Sequence, residues 1–136
     1  MVSTSTGLKL DNQIHLLELD EDSASQVVKR ASFVHSEGEI WQLAAHPDSQ
    51  ATGLFATRFS RVGSDGSQTT GAAVWKRPES GSEGGGQGQL GSPACRVSNT
   101  TSDSGSSQLS FLSWSPAQSS RMMVLHENQV LLSCVD

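Results

Sequence analysis

Short apolar runs separated by turn residues occupy most of the chain. The run at 54–59 alternates with period two, and the run at 40–45 ends at a His-Pro-Asp turn, where proline stops a strand. No stretch carries a 3.6-residue apolar stripe over three turns, and 26–34 is the nearest helical competitor. The pattern therefore predicts an all-β protein. The expected strands lie at 14–19, 40–45, 54–59, 71–75, 109–114, 122–125 and 130–135, with weaker apolar pairs at 27–28 and 33–34.

The middle of the chain has a different composition. Gly and Ser supply 15 of the 29 residues at 79–107. Such a tract buries too little apolar surface to offset the entropy lost on ordering it. We therefore expect three regions: strands within 1–78, a flexible loop at 79–107, and a shorter strand region at 108–136.

Two pairs of segments form an internal repeat. DNQIHLLELD at 11–20 matches ENQVLLSCVD at 127–136 with four of ten positions identical, and the two end at Asp20 and Asp136. WQLAAHP at 41–47 matches SFLSWSP at 110–116 in type, because each is an apolar strand followed by a proline, Pro47 or Pro116. Repeated sets of short strands are typical of β-propeller blades.

Charge and cysteine content exclude several function classes. The net charge is −5 and the nine basic residues are scattered, which disfavours nucleic acid as a partner. No signal segment and no apolar run of membrane-spanning length is visible, so we expect a cytoplasmic protein. Cys95 and Cys134 lie far apart, which favours two reduced thiols over a disulfide framework or a zinc site.

Motifs for catalysis or cofactor binding are weak. None of the four histidines lies three or four residues from another His or from a Cys, which disfavours a metal site and favours turn and strand-surface positions. A small hydrolase that uses dispersed Ser, His and Asp, with His46 beside Asp48, stays open as an alternative, although no Gly-x-Ser-x-Gly motif is present. The glycine run at 84–88 lacks the Lys-Ser/Thr of a phosphate loop, and we expect no cofactor.

Three segments carry a resemblance to a known family: DNQIHLLELDED at 11–22, GEIWQLAAHP at 38–47 and GAAVWKRP at 71–78. In this order and spacing they resemble the N-terminal part of the EARP and GARP complex-interacting protein family, which are WD-repeat propellers. LSWSP at 112–116, followed by MMVLHENQVLL at 122–132, is similar to the family's next blade.

The resemblance implies a placement for the strands. Residues 14–19 would be the third strand of one blade and 32–35 its outer strand. Residues 40–45, 54–59 and 72–75 would be the first three strands of the next blade, and 109–113 would begin another. The tryptophans are expected to pack in the core. The residues expected to have structural roles are Trp41, Trp75, Trp114, Pro47, Pro116, Asp20 and Asp136.

The resemblance also implies a function: a non-catalytic, protein-binding scaffold for GARP and EARP tethering-complex subunits. Its place would be peripheral, at the trans-Golgi network or endosomes, in endosomal recycling, retrograde transport and vesicle tethering. A propeller needs several blades of about 40 residues, and this chain holds strands for about two. The alternative is therefore a truncated, non-functional fragment. Such an isolated chain is expected to be marginally stable, aggregation-prone or dependent on a partner. The side chains then expected to be partly exposed are Trp41, Leu43, Phe55, Val74 and Trp75.

Overall fold

The structure, a computed structural model, describes residues 2–4, 12–20, 22, 26–78, 87–98, 109–126 and 129–134. These residues are mostly β-strand, with one single-turn helix. In chain order the elements are β1 (Val2–Thr4), β2 (Asn12–Asp20), β3 (Gln26–His35), β4 (Glu39–Ala45), α1 (Ser49–Thr52), β5 (Leu54–Val62), β6 (Gln68–Lys76), β7 (Gln87–Gln89), β8 (Cys95–Ser98), β9 (Leu109–Trp114), β10 (Arg121–His126) and β11 (Gln129–Cys134).

The strands form three sheets, and none of them closes into a barrel within the described ranges. Sheet 1 has the order β1-β2-β3-β7, sheet 2 the order β4-β5-β6-β8, and sheet 3 the order β11-β10-β9. All neighbouring strands pair antiparallel except β3 and β7, which run parallel. Each sheet is therefore built mainly from strands that follow one another in sequence, although β7 returns to sheet 1 and β8 then returns to sheet 2.

Sheet 2 is the middle layer of the molecule. Successive side chains of a strand point to opposite faces, so Phe55 and Trp75 lie on one face while Ala56 and Val74 lie on the other. The buried cluster between sheets 1 and 2 contains Ile14, Phe55, Phe59, Ala73 and Trp75. The buried cluster between sheets 2 and 3 contains Ala56, Ala72, Val74, Leu109, Leu112, Trp114, Met122 and Val124.

Two glycines fix the turns that enter and connect the strands of sheet 2. Gly38, before β4, has φ 134°, and a Cβ there would lie 2.2 Å from the Ser60 carbonyl oxygen. Gly66, between β5 and β6, has φ 81° in a turn whose Asp65 carboxylate accepts the Ser67 N–H at 2.9 Å. Glycine suits both positions because it adopts positive φ without a Cβ penalty.

The expected all-β class is confirmed, and each strand expected from the apolar runs is present with small shifts at its ends. Residues 26–34, the helical competitor, belong instead to the ten-residue strand β3. Strands β1, β7 and β8 and helix α1 were not predicted. Two of them, β7 and β8, fall inside the tract predicted as a flexible loop. Cys95 and Val97 explain β8 locally, because these alternate residues pack against the cluster between sheets 2 and 3.

The expectation of partly exposed sheet-2 side chains is wrong for Phe55, Val74 and Trp75, which are buried. The reason is that sheets 1 and 3 cover both faces of sheet 2. Large exposed apolar side chains occur on all three sheets: Leu19 and Val27 on sheet 1, Trp41 and Val62 on sheet 2, and Phe111, Met123 and Val130 on sheet 3. On sheet 3, Phe111 (45% exposed) and Val130 (57% exposed) are register partners of Leu125 on the central strand.

Candidate functional site

A buried hydrogen-bond network joins sheet 2 to the end of sheet 1. The Trp75 indole N–H donates to Thr57 Oγ1 at 2.8 Å, and His35 Nε2 lies 3.0 Å from the same hydroxyl. His35 Nδ1 lies 3.2 Å from the Gly38 carbonyl oxygen. A carbonyl only accepts, so Nδ1 carries the proton of the neutral ring and Nε2 accepts the Thr57 O–H.

His35 is held in its neutral form by this environment. Its side chain is 1% exposed and lies edge-on to the rings of Phe59 and Trp75. Burial lowers the pKa of His35, an effect opposed by the Gly38 carbonyl and the Glu37 charge. The network therefore acts as a structural anchor between the β3–β4 turn and the strands of sheet 2.

A carboxylate with two arginines closes the same end of sheet 2. Glu37, only 8% exposed, accepts hydrogen bonds from Arg61 of β5 and from Arg96 of β8, the latter at 2.6 and 3.1 Å. Arg61 Nε also donates to the Glu37 carbonyl at 3.1 Å. Both arginine side chains are about half exposed. This cluster ties β8 to the β3–β4 turn.

One glutamine side chain connects sheet 2 to sheet 3. Gln42 Nε2 donates to the Leu112 carbonyl at 2.8 Å, and the Leu112 N–H donates to Gln42 Oε1 at 3.0 Å. The amide thus satisfies both backbone groups of Leu112 on the free edge of β9. Trp114 Nε1 adds a third bond by donating to the Ala44 carbonyl at 3.1 Å.

Arg58 supports the other end of β9. Its Nη1 donates to the Leu109 carbonyl at 2.9 Å, while the Leu109 N–H donates to Thr70 Oγ1 at 2.9 Å. Its guanidinium carbon lies 5.2 Å from the centre of the Trp41 ring, within cation–π range. Burial lowers the pKa of Arg58, yet arginine stays charged at neutral pH.

His46 anchors the turn after β4. Its Nδ1 accepts the Asp48 N–H at 3.0 Å, which leaves Nε2 as the protonated nitrogen, 2.8 Å from the Ser119 carbonyl. The ring lies edge-on to Trp114 at 4.7 Å. Backbone groups therefore engage both ring nitrogens, an arrangement that suits a structural role better than that of a general base.

A groove runs between sheet 1 and the helix-bearing end of sheet 2. It consists of two adjoining cavities of about 380 and 530 Å³. Both are lined by Leu16, Gln50, Gly53 and Arg77. The first is also lined by Leu17, Glu18, Arg30, Ala45, Ser49 and Leu54. The second is also lined by Ala31, Phe33, Ala51, Thr52, Lys76 and Pro78.

The groove owes its shape to local sequence. Asp48 and Gly53 delimit α1: the Thr52 N–H donates to the Asp48 carbonyl at 3.0 Å, and Gly53 ends the turn with φ 65°. The Arg77 N–H then donates to the Gly53 carbonyl at 2.8 Å, which fixes the backbone after β6. Opposite, a β-bulge in the β2–β3 pairing lies between Leu16 and Leu17, and both side chains line the wall.

The residues predicted to be structural do not form one site. Trp75 and Trp114 are buried in the two different clusters, as expected of core residues. Trp41 departs from that expectation at 39% exposed, because the β4–β5 register shifts between residues 40 and 42 and leaves residue 41 unpaired. Pro47 and Pro116 are exposed in the turns that follow β4 and β9. Asp20 ends β2, its side chain is not described, and Asp136 lies outside the described residues.

Sequence reasoning missed His35, Thr57, Glu37 and Gln42. The expectation of turn and strand-surface histidines is wrong for His35, which is fully buried. A partial signal was present: Thr57 is a polar residue in the middle of an apolar strand, and such a side chain needs a buried partner. The partner itself, 22 residues away, follows from the tertiary fold.

Within the described ranges, no group of three or more His, Cys, Asp or Glu could hold a metal ion. No helix in the same part of the chain is long and apolar enough to cross a bilayer.

Sequence comparison finds similar curated proteins. The chain is 31% identical over 134 aligned residues to EARP and GARP complex-interacting protein 1 of Macaca fascicularis, and the match covers 92% of this chain. It is 30% identical over 134 aligned residues to the Homo sapiens protein of that name. It is 31% identical to the EARP-interacting protein homolog of Gekko japonicus.

The match is partial from the relatives' side. The chain spans 32% of the length of each of these three proteins. No protein-family profile matches the chain. No solved structure matches it either.

Proposed function

We propose that the chain is a non-catalytic protein-binding module that associates with the EARP and GARP tethering complexes. The observation that carries the proposal is the similarity along 92% of this chain to proteins named for their interaction with those complexes. The similarity covers all three sheets rather than one motif. The chain spans about a third of these relatives, so their activity as whole proteins enters only as part of this proposal.

The three sheets are proposed to be successive WD-repeat blades. Support comes from where the sequence repeat falls in the fold. The pair 41–47 and 110–116 covers β4 and β9, which begin sheets 2 and 3. The pair 11–20 and 127–136 covers β2 and β11, and β11 is the third strand of sheet 3. Sheet 2, with the antiparallel order β4-β5-β6-β8, would be a complete four-stranded blade.

A scaffold role also agrees with the chemistry of the buried polar groups. His35 and His46 use both ring nitrogens for contacts that hold turns against sheets. Glu37 forms ion pairs with two arginines. These groups hold strands and turns in place. Partner proteins would therefore bind to the exposed surface of the sheets. The module would act peripherally at endosomes or the trans-Golgi network, in endosomal recycling, retrograde transport and vesicle tethering.

Affinity capture tests the proposed partners. The chain is expressed in human cells with a small epitope tag, captured, and probed by immunoblot for subunits of both complexes. The matched controls are the tag on an unrelated β-protein of similar size and the tagged human relative. We expect enrichment of both complexes over the unrelated protein. Capture by the human relative with none by the chain would contradict the proposal.

A further inference from the structure

We propose that the groove between sheets 1 and 2 binds a linear segment of a partner protein that is acidic and carries aliphatic side chains. The inference rests on the proposed function only in taking the partner to be a protein. It adds the surface that is used and the chemistry of the segment that the surface recognises.

The groove has the size and continuity that a peptide needs. Its two cavities, about 380 and 530 Å³, fall in the range of ligand-binding clefts. They adjoin because Leu16 on one wall and Arg77 on the other line both. A single extended segment could therefore occupy both.

The positive charge of the groove favours an acidic ligand. Arg30, Lys76 and Arg77 line the groove, against the single carboxylate of Glu18. The chain as a whole has a net charge of −5, so this cationic groove is a local exception on an acidic molecule. Among the described residues, the salt bridges use Arg30, Arg61 and Arg96 and leave Lys76 and Arg77 without a carboxylate partner. Complementary charge favours an acidic segment and speeds its association.

The groove walls select a peptide over a purely ionic ligand. Leu16 and Leu54 are half-buried in the walls, and Phe33 lies buried at the second cavity. Aliphatic side chains of a bound segment would cover this apolar surface, whereas free phosphate would leave it exposed to solvent. The ion pair of Arg30 with Glu18 bridges β3 and β2 beside the first cavity. Glu18 thus competes with an acidic ligand for Arg30.

The test uses a short fluorescein-labelled peptide in which glutamates flank a pair of leucines, titrated with the full chain and followed by fluorescence anisotropy. The comparison peptide has glutamines in place of the glutamates. We expect saturable binding of the glutamate peptide, weaker binding of the glutamine peptide by about tenfold or more, and weakening with added salt. Equal binding of the two peptides, or no binding, overturns the proposal.

Four variants locate the site. Arg77→Glu, at a half-buried position, and Lys76→Glu, at an exposed position, are each expected to weaken binding about threefold to tenfold. Lys29→Glu is the matched control, since Lys29 precedes Arg30 on β3 but lines neither cavity. It should change the affinity less than about twofold. Glu18→Gln should tighten binding by about twofold to fivefold, because it removes the competing carboxylate.

Four further outcomes are decisive. Weakening by Lys29→Glu as large as that by Arg77→Glu overturns the assignment to the groove. So does saturable binding to phosphatidylserine vesicles that the peptide cannot displace. If the chain binds the peptide but captures neither tethering complex, the proposed function is contradicted and the groove assignment stands. If the chain captures a tethering complex but does not bind the peptide, the groove assignment is contradicted and the proposed function stands.

Discussion

At the scale of single residues, the Thr57 hydroxyl is a group whose loss would leave two buried hydrogen-bonding groups without a partner. Thr57 is fully buried and is hydrogen-bonded to both the Trp75 indole N–H and His35 Nε2. Replacing Thr57 with valine keeps the shape of the side chain, but it leaves the Trp75 indole N–H and His35 Nε2 without a hydrogen-bond partner. We expect Thr57→Val to lower the free energy of unfolding by about 1–3 kcal/mol.

Urea unfolding monitored by circular dichroism measures this effect. Thr57→Ser is the control, because it keeps the hydroxyl and removes one methyl group, at a cost of about 1 kcal/mol. A valine variant at least as stable as the serine variant would show that the hydroxyl does not hold the network together.

His35 gives the stability a pH dependence of known sign. Burial lowers the pKa of His35 in the folded state below its ordinary value of 6.5. Below pH 6.5 the unfolded chain therefore takes up a proton that the folded chain does not. The stability from neutral His35 is fully present above pH 6.5 and is lost as the pH falls from there towards the folded-state pKa.

The comparison that isolates this effect is between the native chain and His35→Asn. Urea midpoints are measured at about pH 7.5 and about pH 5.5. The variant should be less stable at the higher pH and should lose less stability on acidification than the native chain. His15, whose pKa burial also lowers, is present in both proteins and cancels in the difference. Equal acid losses would contradict the assignment.

The sequence predicted some of these residues and not others. Trp75 and Trp114 could be assigned to the core because large aromatic residues within apolar strands are usually buried. Trp41 follows the same pattern yet is exposed, since a β-bulge is a property of pairing and not of composition. The His35–Thr57 bond joins residues 22 positions apart, a relationship that local pattern does not encode.

At the scale of elements, the side chain of Gln42 docks β9 against β4. Its amide satisfies the N–H and C=O of Leu112 on an otherwise free strand edge. Gln42→Met preserves length and removes both hydrogen bonds. We expect the free energy of unfolding to fall by about 1–3 kcal/mol, and hydrogen exchange to speed up more at the Leu112 amide than at the Ala73 amide in the middle of sheet 2.

Gln118 provides the matched control for this substitution. It is exposed in the turn between β9 and β10, so Gln118→Met should change stability by less than about 0.5 kcal/mol. The same Leu112 exchange rate in the native chain and in Gln42→Met would contradict the docking role.

Strand positions were largely predictable because apolar runs and turn residues are local signals. The exception is β8, which was not predicted because it lies in a tract whose average composition indicates a loop. Only Cys95 and Val97 in that strand are apolar, and Arg96 between them reaches Glu37. Tertiary contacts stabilise this short strand, and they lie beyond what local composition reports.

At the scale of the whole molecule, the arrangement is a stack of three sheets with the middle one covered on both faces. The internal repeat predicted successive, similar sheets, and its segments do fall on strands of all three. What the sequence did not predict is the groove between sheets 1 and 2, because its lining residues come from 16–18, 30–33, 45–54 and 76–78. Such a surface exists only after the sheets have packed.

The most direct test of the central claim, that this chain is a module binding the tethering complexes, is a binding titration with purified components. The chain is immobilised, and purified EARP and GARP complexes are passed over it in a label-free assay, with an unrelated β-protein on the reference surface. The proposal predicts saturable binding of both complexes that soluble chain competes away. A response equal to the reference surface, from complexes that bind the immobilised human relative, would contradict it.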